Sequence, residues 1–216
     1  MAKRRKISNL LALSLLTLLT ERPMYPYEMA ATLRHRGKDQ SMKINWGSLY
    51  TVVQNLDKHG FIETVEVGRE GRQPERTTYQ ITDAGRAELQ DWLRELIAEP
   101  EREYTRFEAA LADCAVLSPR ELTSLLRQRL DALEQATAQH GTMLEALAGS
   151  LPRLFLIESE YQLALRRAET EWVREVLKEL TDGTFPGIGD WQRFHDTGQL
   201  PDDVQVLMQE EEDAGR

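Results

Sequence analysis

Residues 118–180 carry two apolar repeats that are too long for a small core to cover. Ser118-Pro119 reads as a helix N-cap with proline in the first turn. It opens a stripe of Leu122, Leu125/Leu126, Leu130, Leu133, Thr137, His140, Leu144 and Leu147. Gly149-Ser150 breaks that stripe. Pro152 starts a second one, through Leu154, Ile157, Tyr161, Leu165, Ala168, Trp172, Val176 and Leu180. Two helices of ~30 residues each run ~45 Å at ~1.5 Å per residue. Such an antiparallel pair buries its stripe against another subunit. The expected dimerisation residues are Leu122, Leu126, Leu130, Leu133, Leu154, Ile157, Tyr161, Leu165 and Trp172.

The first half changes period twice. Leu10, Leu13, Leu16 and Leu18/Leu19 put a first helix over 8–20, capped by Ser8. A second runs over 25–36, with Pro26 in its first turn and Gly37 at its end. A third starts at the N-cap Asn45 and carries Leu49, Val52, Val53 and Leu56 on one face. Its opposite face holds Ser48, Thr51, Gln54 and Asn55, short hydrogen-bonding side chains with almost no charge. After Gly60 the period drops to two. Residues 61–67 and 76–81 read as strands around the loop 68–75, which has two glycines and a proline. Thr82-Asp83 caps a fourth helix to about residue 96.

The expected fold is mainly α with a small β-hairpin wing. An N-terminal winged helix-turn-helix (1–97) precedes a connecting segment (98–117), long antiparallel helices (118–182) and a flexible tail (183–216). The basic run 1–6 followed by apolar 10–19 has the outline of a secretory signal. Glu21-Arg22-Pro23 replaces the small-residue cleavage site, however, so the expectation is a buried first helix behind a frayed basic arm, and a cytoplasmic chain with no membrane partner.

Charge divides the same way. Net charge is −9 overall, yet residues 1–60 hold ten Lys/Arg against four Asp/Glu. The acidic excess lies after residue 90, as a nucleic-acid footprint on an acidic body would have it. Enzyme chemistry finds no support. His35, His59, His140 and His195 are widely separated and form no metal-ligand pairing, and Cys114 has no nearby histidine. Gly68 and Gly71 lack the strand–helix context of a phosphate loop. No metal or other cofactor is expected.

Four stretches in order carry a family resemblance: Pro23-Met-Tyr-Pro-Tyr-Glu-Met-Ala30, Asn45-Trp-Gly-Ser-Leu-Tyr50, Leu56-Asp-Lys-His-Gly-Phe-Ile62 and Tyr79-Gln-Ile-Thr-Asp-Ala-Gly85. Residues 10–90 resemble the PadR family of bacterial transcriptional regulators. Pro26, where many relatives carry Gly, and Asn45-Trp46, where many carry Ser-Pro, depart from its pattern. The resemblance implies a homodimeric repressor on a palindromic double-stranded DNA operator, released by a small-molecule or stress effector.

Carried over, it implies DNA contact by Tyr50 to the backbone, by Ser48, Thr51 and Gln54 in the groove, and by Lys43, Asn45 and Trp46 at its entrance. Tyr27 is open to either packing or phosphate contact, and Trp46 to a structural role. Arg69, Arg72 and Arg76 of the hairpin are placed for phosphates. Trp92, Phe107, Tyr161 and Trp172 are candidates for a planar aromatic effector, with an ordinary core role beside it. The alternative function is a helical interaction scaffold without DNA binding.

Overall fold

The computed structural model describes residues 5–38, 42, 44–68 and 76–199. The chain divides into two compact units, Met1–Arg102 and Glu103–Arg216.

In the first unit, α1 (Leu10–Glu21) is the centre of the core. Its side chains Leu11, Ala12, Leu15, Leu16, Leu18 and Leu19 are all buried. Asn9 caps it by accepting a hydrogen bond from the Leu11 amide, so the cap falls one residue after the expected Ser8. Around it pack α2 (Pro26–His35), α3 (Leu49–Lys58), the hairpin β1 (Ile62–Gly68)–β2 (Arg76–Ile81) and α4 (Asp83–Ala98). A bidentate pair from Arg36 to Glu21, at 2.6 and 2.8 Å, ties the ends of α1 and α2. The hydrogen bonds from Arg36 hold the Glu21 carboxyl below its usual range, against the smaller opposing effect of burial.

The hairpin is antiparallel and pairs Ile62 with Ile81, with an irregularity between Thr64 and Glu66 that leaves Val65 as the extra residue. Met24 adds an isolated antiparallel bridge to β2. It exchanges two 3.0 Å hydrogen bonds with Tyr79, fastening the hairpin to the α1–α2 turn.

One joint sets the hairpin against α3. The Thr82 hydroxyl donates to the Gly60 carbonyl at 2.7 Å and accepts from the Gly85 amide at 3.0 Å. The Thr82 amide donates to the Phe61 carbonyl at 3.1 Å. Gly85, in the first turn of α4, presses so closely on that carbonyl that a Cβ would stand 2.0 Å from its oxygen.

The stretch before α1 is also held. Arg5 has a buried side chain that donates to Glu88 at 2.7 Å, reaches Asp91 and Glu95, and lies 5.7 Å from the centre of the Trp92 ring. Arg5 is thus a structural anchor on α4, whereas the sequence reading placed it in a frayed basic arm. Burial alone would lower its pKa, but Glu88 and Glu95 outweigh that and hold it above the ordinary value.

The second unit contains α5 (Arg106–Ala112), α6 (Pro119–Ala148), α7 (Ile157–Asp182) and α8 (Ile188–Thr197). Helix α5 lies within the segment expected to be a connector, and α8 lies within the expected tail. Ser118 caps α6, accepting from Glu121 N at 3.2 Å. The second long helix begins later than Pro152 suggested, after a 3-10 turn at Arg153–Phe155. Helices α6 and α7 pair along Leu122, Leu126, Val173, Leu177 and Leu180, with Phe107, Phe185, Ile188 and Trp191 packed around that cluster. Trp191 Nε1 donates to the Leu117 carbonyl at 3.0 Å, which pins α8 down.

A Gly85→Ala variant forces α4 away from the Phe61 carbonyl. Its expected cost is about 2–3 kcal/mol, the upper part of the range for overpacked sites. Urea unfolding measures it, and a loss under about 0.5 kcal/mol shows that the joint does not constrain the fold.

Candidate nucleic-acid interface

Helix α3 has a sharp division of faces. Leu49, Val52, Val53 and Leu56 are buried in the first core, while Tyr50, Thr51, Gln54 and Asn55 are exposed. An amphipathic helix with its inner face locked presents its outer face in a fixed orientation. The outer face is neutral and hydrogen-bonding, apart from Asp57 and Lys58 at its end.

The approach to this helix is a 3-10 turn, Trp46–Ser48, where one continuous helix was expected. Asn45 caps the turn, its Oδ1 accepting from Gly47 N at 3.1 Å. Ser48 Oγ donates to the Asn45 carbonyl at 2.8 Å. Its hydroxyl proton is therefore committed locally, leaving the oxygen to accept from a ligand. Trp46 is half-buried against the core, and the Arg34 guanidinium lies 4.2 Å from its ring centre. That stacking joins the end of α2 to the start of α3.

Tyr50 and Tyr27 are 62% and 67% exposed, too open for either ring to be a core plug. Arg76 opens β2. Lys43, Arg69 and Arg72 lie outside the described residues.

The second unit sorts the expected interface residues into two sets. Leu122 and Leu126 are buried within the chain, and Leu130 and Leu133 are partly buried beside them. Leu154, Ile157, Tyr161, Leu165 and Trp172 are exposed. On α7 the exposed stripe Ile157, Tyr161, Leu165, Ala168, Trp172 has spacings of four, four, three and four. The inward stripe Leu163, Arg166, Thr170, Val173, Leu177, Leu180 occupies another side, roughly 150° away at ~100° per residue. A helix with two such stripes has one more apolar surface than its partner in the hairpin can cover.

The effector candidates do not all come together. Trp92 is buried in the first core. Phe107 and Trp172 meet edge to face, with ring centres 6.1 Å apart. The Arg129 guanidinium lies 3.5 Å from the Phe107 ring centre, and its Nε donates to Glu169 at 2.8 Å. Tyr161 is three turns up α7 from Trp172 and belongs to a different place. A groove of about 410 Å³, lined by Glu134, Thr137, Ala138, Arg167, Thr170, Glu171 and Arg174, includes none of these aromatics. Sequence reasoning missed Arg34, Arg129 and Arg5, because their partners are distant in the chain or lie across a turn.

Among the described residues no cluster of His, Cys, Asp or Glu is arranged to hold a metal ion. No helix among them is long and apolar enough to cross a membrane.

Three helices, a hairpin and a fourth helix, with the third helix presenting a neutral polar face, define a winged helix-turn-helix unit. Residues 15–91 match the transcriptional regulator PadR-like family. Solved structures share the fold across both units. Bacillus subtilis PadR in complex with operator DNA is 21% identical, covering 80% of this chain and 99% of its own, with a TM-score of 0.66. The same protein in complex with p-coumaric acid is 20% identical, with the same coverage and TM-score. The Vibrio cholerae virulence activator AphA is 23% identical, covering 80% and 98%, with a TM-score of 0.59. No curated protein sequence matches the chain significantly.

Proposed function

We propose that this chain is a sequence-specific DNA-binding repressor that acts as a homodimer on a palindromic operator and is released by a small effector. The observation that carries the reading is the exposed, neutral, hydrogen-bonding face of α3 on a helix whose other face is locked in the core. A major groove about 12 Å wide admits one helix, and side chains near its N-terminus reach base edges. Thr51 and Gln54 are the base-reading residues. Ser48 accepts from the DNA, and the Tyr50 hydroxyl contacts the backbone. Tyr27, Asn45, Trp46 and the hairpin arginines Arg69, Arg72 and Arg76, with Lys43, hold phosphates or shape the entrance.

The second copy pairs through the outward stripe of α7, with Leu154 and Phe155 continuing it. Two α3 helices then lie roughly 34–36 Å apart, one turn of DNA. For the effector, the Bacillus relative solved with p-coumaric acid supports a planar aromatic molecule. Phe107 and Trp172 would stack on it, with the Arg129 charge beside them. Release requires that such a ligand bind one arrangement of the dimer better than the other. A scaffold without DNA binding would have no use for the α3 face.

Gel shifts with the DNA upstream of the chain's own gene test the reading. Tyr50→Phe is expected to weaken binding on all sequences by about 1 kcal/mol, the worth of one hydrogen bond. Thr51→Ala and Gln54→Ala are expected to change the ranking of operator variants by about 1–3 kcal/mol at single positions. Unaltered affinity and ranking in all three variants discard the assignment of α3.

Sedimentation of the Tyr161→Asp, Leu165→Asp double variant tests the pairing. Both side chains are exposed in the monomer, so the chain should stay helical while its mass falls to that of one copy. A dimer that survives both charges places the interface elsewhere.

A further inference from the structure

Towards the turn that joins them, α6 and α7 are linked by a polar relay centred on His140. Arg166 Nη1 of α7 donates to His140 Nδ1 at 2.8 Å. A guanidinium has no acceptor, so Nδ1 must present its lone pair. The ring proton then resides on Nε2, which faces the Ser159 hydroxyl of α7 at 2.6 Å. Both bonds are satisfied together only when the imidazole is neutral. Arg129 with Glu169 and Arg174 with Glu134 also link the two helices, as ion pairs.

Among the described residues, the hydrogen-bond partners given for the ring are a hydroxyl and a guanidinium. One turn either side of His140 on α6 stand Ala136, Thr137, Met143 and Leu144, all uncharged. From α7 the partners are Ser159 and Arg166, and the charge that acts on the ring is that of Arg166. Of the α7 carboxylates nearby, Glu160 pairs with Arg153 and Glu169 with Arg129. The outward residues Ile157, Tyr161 and Leu165 lie on the same stretch of α7 as the two relay partners.

We propose that His140 is an acid-sensitive pin, whose protonation breaks the bond from Arg166, sets two cations together and loosens the pairing of α6 with α7 beneath the outward stripe. The hairpin change stands on the relay alone; its effect on pairing of two copies rests on the dimer proposed above. Burial first, and the Arg166 charge second, hold the ring below its ordinary value of 6.5. Above 6.5 the ring is neutral in the closed and the opened hairpin, and the stability is constant. As pH falls below 6.5 the opened hairpin takes up the proton first. Stability declines until pH passes the lowered value, where both forms are protonated. The sensitive window is therefore 6.5 and below.

The experiment uses the full chain and a His140→Gln variant, whose amide can donate and accept but does not titrate. Imidazole proton shifts give the His140 titration, and thermal unfolding at pH 7.5 and 5.5 reads the hairpin. The expected result is a His140 midpoint below 6.5 and a fall in Tm between the two pH values that is smaller in the variant. Each unit of depression corresponds to a tenfold preference for the neutral ring in the closed hairpin. Arg166→Gln keeps a donor but removes the facing charge, and should move the His140 midpoint up towards 6.5. A midpoint at or above 6.5 in the unaltered chain, or the same fall in Tm in the unaltered chain and both variants, overturns the pin. Sedimentation at both pH values reads the consequence separately. A chain that is monomeric at pH 7.5 removes the dimer reading, while the titration and the melts still decide the pin.

Discussion

Everything the first unit can do depends on the burial of one side of a ten-residue helix. Alone in water, α3 would be too short to persist, since nucleation is costly and each added residue returns little. It exists because Leu49, Val52, Val53 and Leu56 are taken into the core around α1. Burial of each such side chain is worth about 1.5–3 kcal/mol. The outer residues Tyr50, Thr51 and Gln54 contribute little to that burial, so their positions are inherited from the inner ones. This separates the two tasks: the inner face sets stability and angle, and the outer face is left free to vary in chemistry. The Thr82–Gly85 joint extends the same constraint to the hairpin. It fastens β1 and β2 to the turn that ends α3, through the backbone carbonyls of Gly60 and Phe61.

The second unit solves a different problem. A long helical pair has a large choice of registers if its seam is only leucine. Here the seam is punctuated by groups that match in one register, with Arg129 opposite Glu169, His140 opposite Ser159 and Arg166, and Glu134 opposite Arg174. The exposed ion pairs contribute little to stability. Their value is in fixing which residues of α7 face inward. That choice also fixes which face outward, and so the seam determines the line of Ile157, Tyr161, Leu165 and Trp172 on the far side.

The features that were legible in the sequence are those with a strong period or a strong cap. The two faces of α3 were readable because four apolar residues fall at i, i+3, i+4 and i+7, and the Thr82 cap because a helix pattern follows it. The split of the long helices was not readable. Leu122 and Leu126 look the same as Leu154 and Leu165 until the partner helix is in place, and α7 carries two stripes that overlap in any window. Helices α5 and α8 were hidden for another reason. They are short and weakly patterned, and their order comes from Phe107, Ile188 and Trp191 docking on a distant cluster. Arg5 was misplaced by its basic neighbours. Its three acidic partners lie more than eighty residues away on α4, where local composition says nothing of them.

The division of charge gives the two units different relations to DNA. A polyanion attracts the basic first 60 residues and repels the acidic stretch after residue 90, so the summed field favours approach by the α3 unit. The neutrality of the α3 outer face fits this division. Charge placed on that face would bind every duplex more tightly without separating one from another, because phosphates are the same everywhere. Threonine and glutamine, if set in the groove as proposed, would contribute little to non-specific attraction, and their hydrogen-bonding pattern would be satisfied only by the right base edges. On the proposed function, affinity and discrimination would be carried by separate residues, the first by basic side chains around the helix and the second by the uncharged ones upon it.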